Sequence, residues 1–90
     1  MTVLDRHIDV TPGICGGRPR IAGHRITVQN VADWHERQGL SVDEIATAYG
    51  LSLGDVHAAL AYYYDHRSDV DARAEADAAF AESLRSGSRA

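Results

Sequence analysis

The stretch Ser41-Val42-Asp43-Glu44-Ile45-Ala46-Thr47-Ala48-Tyr49-Gly50-Leu51-Ser52-Leu53-Gly54-Asp55-Val56 decides the fold. Ser41 and Glu44 have the S-x-x-E form of a capping box, in which the serine oxygen accepts from a free N–H of the first turn and the glutamate accepts from the N–H of the cap. Ile45, Ala48 and Tyr49 then mark an apolar face, and Gly50 ends this short helix by supplying the positive φ of a tight turn. Ser52 and Asp55 repeat the cap logic for a further helix, on which Val56, Ala59, Leu60 and Tyr63 recur at i, i+3, i+4 and i+7. Two short helices joined through Gly50-Leu51 have the form of a helix-turn-helix: Ala46 is small where the helices approach, Gly50 turns, and Val56 anchors the second helix. The same pattern also suits an αα-corner in any small helical protein.

On the N-terminal side, Thr27 stands as an N-cap, and Val28, Val31, Ala32 and His35 recur at helical spacing until Gly39. Before it, from Arg6 to Thr27, short β-branched pieces are punctuated by Thr11-Pro12-Gly13, Gly16-Gly17, Pro19 and Gly23, which excludes a helix and predicts a hairpin or extended arm. On the C-terminal side alanine and charge dominate. Ala72, Ala76, Phe80 and Leu84 form one i+4 line in which only the last two are large, so residues 68–90 are expected to form a docked or fraying amphipathic helix, disordered from Arg85 to Ala90. The expected fold is mostly α with a short N-terminal β element. A helix-turn-helix-like three-helix core with its N-terminal arm occupies 1–67, and a C-terminal helix or tail follows.

The 90 residues carry nine basic side chains, all arginine, against thirteen carboxylates, for a net charge of −4. That sum hides a segregation. Val10 to Ala32 holds Arg18, Arg20 and Arg25 without an acid, whereas Asp33 to Ala90 is strongly acidic. Fourteen of the apolar residues are alanine, so the core is small and marginal alone, and a second subunit or another partner is expected. No apolar run approaches a membrane span and the N-terminus lacks a signal-peptide layout, which predicts a cytoplasmic protein with no membrane partner. One cysteine allows neither an internal disulfide nor a CxxC clip.

The chemistry-bearing residues point away from catalysis. Cys15 and His24 have no third orienting group, His24, His35, His57 and His66 form no i, i+4 ligand pair or HExxH, and Gly16-Gly17 is not followed by GK[ST]. In Trp34-His35-Glu36 the acid and base diverge by about 100° on a helix and cannot act on one atom. No enzyme activity, cofactor or metal is expected. For DNA, the helix-turn-helix offers Ser52 and His57 but no bidentate base reader, and Asp43, Glu44 and Asp55 repel phosphate. The cations lie on the arm: Arg18 and Arg20 on a proline-stiffened segment suited to a minor groove, and Arg25, Gln29 and Asn30 near the first helix start. The alternative is that these arginines pair with carboxylates of the acidic body. Tyr62 and Tyr64 flank the core stripe on opposite sides, so one of them is expected, with Trp34, at a dimer or partner contact.

Three ordered blocks carry a resemblance over about Arg6 to Arg67. They are Ile14-Cys15-Gly16-Gly17-Arg18-Pro19-Arg20-Ile21-Ala22-Gly23-His24-Arg25-Ile26-Thr27-Val28, then Gly39 with Ser41-Val42-Asp43-Glu44-Ile45-Ala46, and then Asp55-Val56-His57-Ala58-Ala59-Leu60-Ala61-Tyr62-Tyr63. The chain resembles the family called domain of unknown function 433. The resemblance implies a small, often dimeric domain with a helix-turn-helix-like core. It also implies an antitoxin of a VapBC-type toxin–antitoxin module, partnered with a PIN-like ribonuclease toxin. Such an inhibitor benefits from a basic side chain delivered to an acidic, metal-holding cleft, for which Arg73 and Arg85 are candidates, with Phe80 and Leu84 anchoring the same helix in a groove. The expected function is thus an antitoxin that neutralises the toxin and binds its operator DNA, the alternative being a free-standing helix-turn-helix regulator.

Overall fold

β-branched residues set between turn formers pair as a ribbon. In a computed structural model that describes residues 7–87, β1 (Ile8–Asp9) lies antiparallel to β2 (Arg20–Ile21). Ile8 stands opposite Ile21 and Asp9 opposite Arg20, so one cross-strand pair is apolar and the other ionic. Gly23, at φ +81°, turns the chain back so that the Ile21 amide donates to the Ile26 carbonyl at 2.8 Å. The Val28 amide donates to Pro19 O at 2.9 Å, which fixes the ribbon to the first helix.

Thr27 caps α1 (Val28–Ala32), its hydroxyl accepting from the Asn30 amide at 3.0 Å. The expected uniform helix to Gly39 differs in its second half: Asp33–Arg37 widens into a π-helical turn, with Gln38 N donating to Asp33 O at 3.2 Å. The wider turn accompanies a 3.7 Å stack of Trp34 on Tyr49, and His35 Nδ1 donates to Leu40 O at 2.8 Å. These tertiary contacts offset the poorer hydrogen-bond spacing of the turn.

α2 (Val42–Tyr49) and α3 (Leu53–Asp65) both begin with complete capping boxes, Ser41 with Glu44 and Ser52 with Asp55. Between them Gly50 adopts φ +66°, and the Gly50 and Leu51 amides both donate to Ala46 O. Ile21, Val28, Val31, Ile45 and Val56 are fully buried and form the centre, closed by Leu51, Ala59, Leu60 and Tyr63. The expected fold is therefore what the chain adopts: mostly helical, with a two-stranded N-terminal ribbon and a helix-turn-helix-like core.

α4 (Arg67–Gly87) follows a break at His66, whose φ of −125° leaves the helical region. Its first turns are tied down. Val70 joins the core, the Tyr63 hydroxyl donates to Asp71 Oδ1 at 3.0 Å, and Arg73 Nη2 donates to Gly16 O at 3.0 Å. From Ala78 to Arg85 every side chain is exposed. The helix runs through Arg85 to Gly87 where the sequence predicts disorder, and Ser88 to Ala90 lie outside the described residues. Alanine-rich composition and the Arg85–Glu82 ion pair at i, i+3 favour that extension.

Candidate functional site

The exposed surface of the helix-turn-helix is built by its caps. Ser52, the cap of α3, and His57 on its second turn are both exposed, as a reading face requires. The Ser52 hydroxyl, however, is occupied by the Asp55 amide at 3.0 Å, and His7 lies over the same first turn. Its Nδ1 donates to Asp55 Oδ1 at 2.7 Å, and its ring packs where a Cβ on Gly54 would sit, at 3.2 Å. Burial raises the Asp55 carboxyl, but the hydrogen bonds from His7 and Ser52 together outweigh it and hold the group below its ordinary value. Asp43 and Glu44 are exposed on the neighbouring helix, and hydrogen bonds from the Ser41 amide and hydroxyl lower the Glu44 carboxyl. The first turns of α2 and α3 thus each carry a carboxylate whose charged form is favoured by hydrogen bonds.

The arginine-rich arm is largely spoken for within the chain. Arg20 Nη2 pairs with Asp9 at 2.7 Å and its Nη1 donates to His24 O at 3.0 Å, while its Nε is buried without a partner among the described residues. Arg18 Nε donates to Asp77 Oδ2 at 3.1 Å and its Nη1 to Cys15 O at 3.0 Å. Of the two readings of the arm, carboxylate pairing therefore describes Arg18 and Arg20. Arg25 and Asn30 are exposed, and Gln29 is half-buried. Asp77, the carboxylate that links arm and α4 across fifty-nine positions, carries no local sequence signal.

The α4 residues divide between two environments. Arg73 is engaged at the root by Gly16 O and lies 3.9 Å from Asp77. Phe80 and Leu84 are 66% and 59% exposed on the outer half, and Arg85 pairs with Glu82 at 2.5 Å. Between arm, α1, α3 and α4 opens a cavity of about 140 Å³, walled by Pro19, Val28, Tyr62 and Val70, with Arg18 and Arg73 at its rim. Trp34, Tyr62 and Tyr64 do not form one patch. Trp34 is half-buried on Tyr49, Tyr62 stacks on His66 at 4.0 Å beside the cavity, and the exposed Tyr64 donates its hydroxyl proton to Glu36 at 2.7 Å. That bond is the main cause holding the Tyr64 phenol above its ordinary value.

Cys15 has φ +52° and its thiol donates to Arg25 O at 3.4 Å. Among the described residues no group of three or more His, Cys, Asp or Glu is placed to hold a metal ion, and no helix is long and apolar enough to cross a membrane.

A two-stranded ribbon seated on a helix-turn-helix-like core, continued by a fourth helix whose outer half is exposed, defines a small, mostly helical domain. The chain belongs to the family described as Protein of unknown function (DUF433), whose model matches residues 8–63. It is similar to a DUF433 member protein from Anabaena variabilis ATCC 29413, known from a crystal structure. The two share 35% identity at a TM-score of 0.70, over 78% of this chain and 69% of that one. None of the curated proteins compared with the chain matches it. The family match ends at Tyr63, so α4 lies beyond it.

Proposed function

We propose that the protein is an antitoxin that binds a PIN-like ribonuclease toxin through the outer half of α4. The observation that carries this reading is the exposure of Phe80 and Leu84 on a helix segment whose side chains from Ala78 to Arg85 are all exposed. An isolated segment of this length is marginal in water, and large apolar side chains on it gain most by docking in a groove. Arg85 lies one residue beyond Leu84, so docking this segment brings a cation to an acidic cleft, where charge complementarity favours it. Arg73 is less suited to that role, since it already serves Gly16 O.

Co-purification with a co-expressed PIN-like ribonuclease tests the reading. A chain ending at Asp77 keeps Val70 and the arm contacts, so its core is preserved. It is expected to lose capture and inhibition of the ribonuclease, and undiminished inhibition by the shortened chain refutes the assignment.

A second reading, operator binding by the same protein or by a free-standing regulator, is favoured by the helix-turn-helix with Ser52 and His57 exposed on α3 and by the exposed Arg25. The pairing of Arg18 and Arg20 concentrates this reading on Arg25, Gln29 and Asn30. Replacing Arg25 by Ala is expected to reduce the salt slope of operator binding by about one unit, and an unchanged slope moves the contact elsewhere.

A further inference from the structure

Asp69 and Arg73 stand one turn apart on the same face of α4, an acid four residues before a base, the spacing at which such side chains pair along a helix. Here they do not pair. Arg73 turns the other way, its Nη2 donating to Gly16 O and its Nε lying 3.9 Å from Asp77. Asp69 is left without an ion-pair or hydrogen-bond partner among the described residues, and Arg73 Nη1 is left without an acceptor among them. Both side chains border the cavity walled by Pro19, Val28, Tyr62 and Val70.

That cavity is apolar inside and carries both charges at one edge. Val28 and Val70 are buried, and Pro19 and Tyr62 half-buried. Its volume of about 140 Å³ is close to the roughly 150 Å³ of an apolar cavity that holds benzene, so it takes one phenyl ring or a branched aliphatic chain. At the edge, side chains four residues apart have Cβ atoms about 5–6 Å from each other, which leaves room between their ends for an ammonium and a carboxylate borne on one carbon. Gln29, half-buried on α1, lines the same cavity and adds an amide that has no partner among the described residues. Arg18 takes no part, since it already serves Asp77 and Cys15 O. A simple amine would face the like charge of Arg73, and a simple acid that of Asp69. A zwitterion complements both.

We propose that the cavity binds a free α-amino acid with a compact apolar side chain of the size of leucine or phenylalanine. Asp69 accepts from its ammonium, Arg73 Nη1 and the Gln29 amide donate to its carboxylate, and its side chain sits between Pro19, Val28, Tyr62 and Val70. Those walls come from the arm, α1, α3 and α4, so the bound amino acid ties the root of α4 to the core. Nothing on the outer half of α4 is used. The site is therefore measured on the chain alone and stands or falls without any ribonuclease or DNA.

Titration of the full ¹⁵N-labelled chain with L-phenylalanine is expected to give saturable amide shifts centred on Val28, Tyr62 and Val70, with a Kd of about 1 mM or tighter. L-Alanine leaves the cavity empty and should bind at least about tenfold more weakly, the worth of one buried apolar side chain. Phenethylamine and 3-phenylpropionate keep the ring and drop one charge, and each should also lose about tenfold. Asp69 has no polar partner to lose, so Asp69→Asn leaves the fold in place. It should weaken L-phenylalanine by about tenfold and leave 3-phenylpropionate, which has no ammonium, no weaker than before. Absence of saturable shifts up to the solubility of L-phenylalanine overturns the proposal, as do shifts centred away from those three residues. So does L-alanine or either single-charge analogue binding as tightly as L-phenylalanine, or an Asp69→Asn chain that binds L-phenylalanine as the wild type does.

Discussion

Gly50 and Asp55 show how single residues set the helix-turn-helix. A Cβ on Gly50 would meet nothing within 4 Å, so the cost of replacing it lies in the backbone at φ +66° alone. Gly50→Ala should therefore destabilise the domain by about 1 kcal/mol in urea unfolding, with no change in the packed core. At Asp55 the carboxyl is held below its ordinary value of 3.8, so the unfolded chain takes up its proton first as the pH falls. The stability from this group is present above that value and is lost as pH drops through the lower, folded one. The acid limb of a stability–pH curve should accordingly be steeper for the wild type than for Asp55→Asn. The caps at Ser41 and Ser52 are legible in the sequence because each partner stands three residues away. His7 is not, because it meets Asp55 across forty-eight positions and no local pattern links them.

Among the elements, α4 is the one whose two halves obey different physics. Its root is held by Val70, by Tyr63 with Asp71, and by the arm through Arg18 and Arg73. Its outer half is exposed from Ala78 to Arg85 and is supported by helix propensity and short-range ion pairs such as Arg85 with Glu82. Amide exchange should divide the helix near Ala78, slow toward Val70 and fast toward Gly87. The Arg18–Asp77 pair is about a third exposed on each side, so its worth is that of a surface pair. Arg18→Ala is expected to cost less than about 1 kcal/mol globally while raising exchange specifically between Val70 and Asp77. Unchanged exchange there would show that Val70 alone docks the helix. The π-helical turn at Asp33–Arg37 carries the same lesson. Helical spacing to Gly39 is visible in the chain, but the widening coincides with a stack of Trp34 on Tyr49 from another helix, which local spacing does not record.

For the whole molecule, the small core sets the margin. Ile45 is fully buried where α2 meets the rest, so Ile45→Ala should remove about 2–5 kcal/mol, a large part of the stability of a 90-residue domain, and chemical denaturation measures it. Periodicity, capping and positive-φ turns act within a few residues, so the starts of α1, α2 and α3, their caps, the Gly50 turn and the apolar stripe of α3 are written in the local sequence. It also determined that an acid-free arginine segment precedes an acidic body. Where those arginines point is set by contacts across the folded chain. Arg20 turns to Asp9 because the strand register sets them opposite, and Arg18 turns to Asp77 because α4 folds back beside the arm. The tertiary structure likewise decided that a cavity opens between the arm and the root of α4, walled by Pro19, Val28, Tyr62 and Val70. Such outcomes depend on charge and shape meeting across distant parts of the chain, and spacing along the sequence holds no record of them.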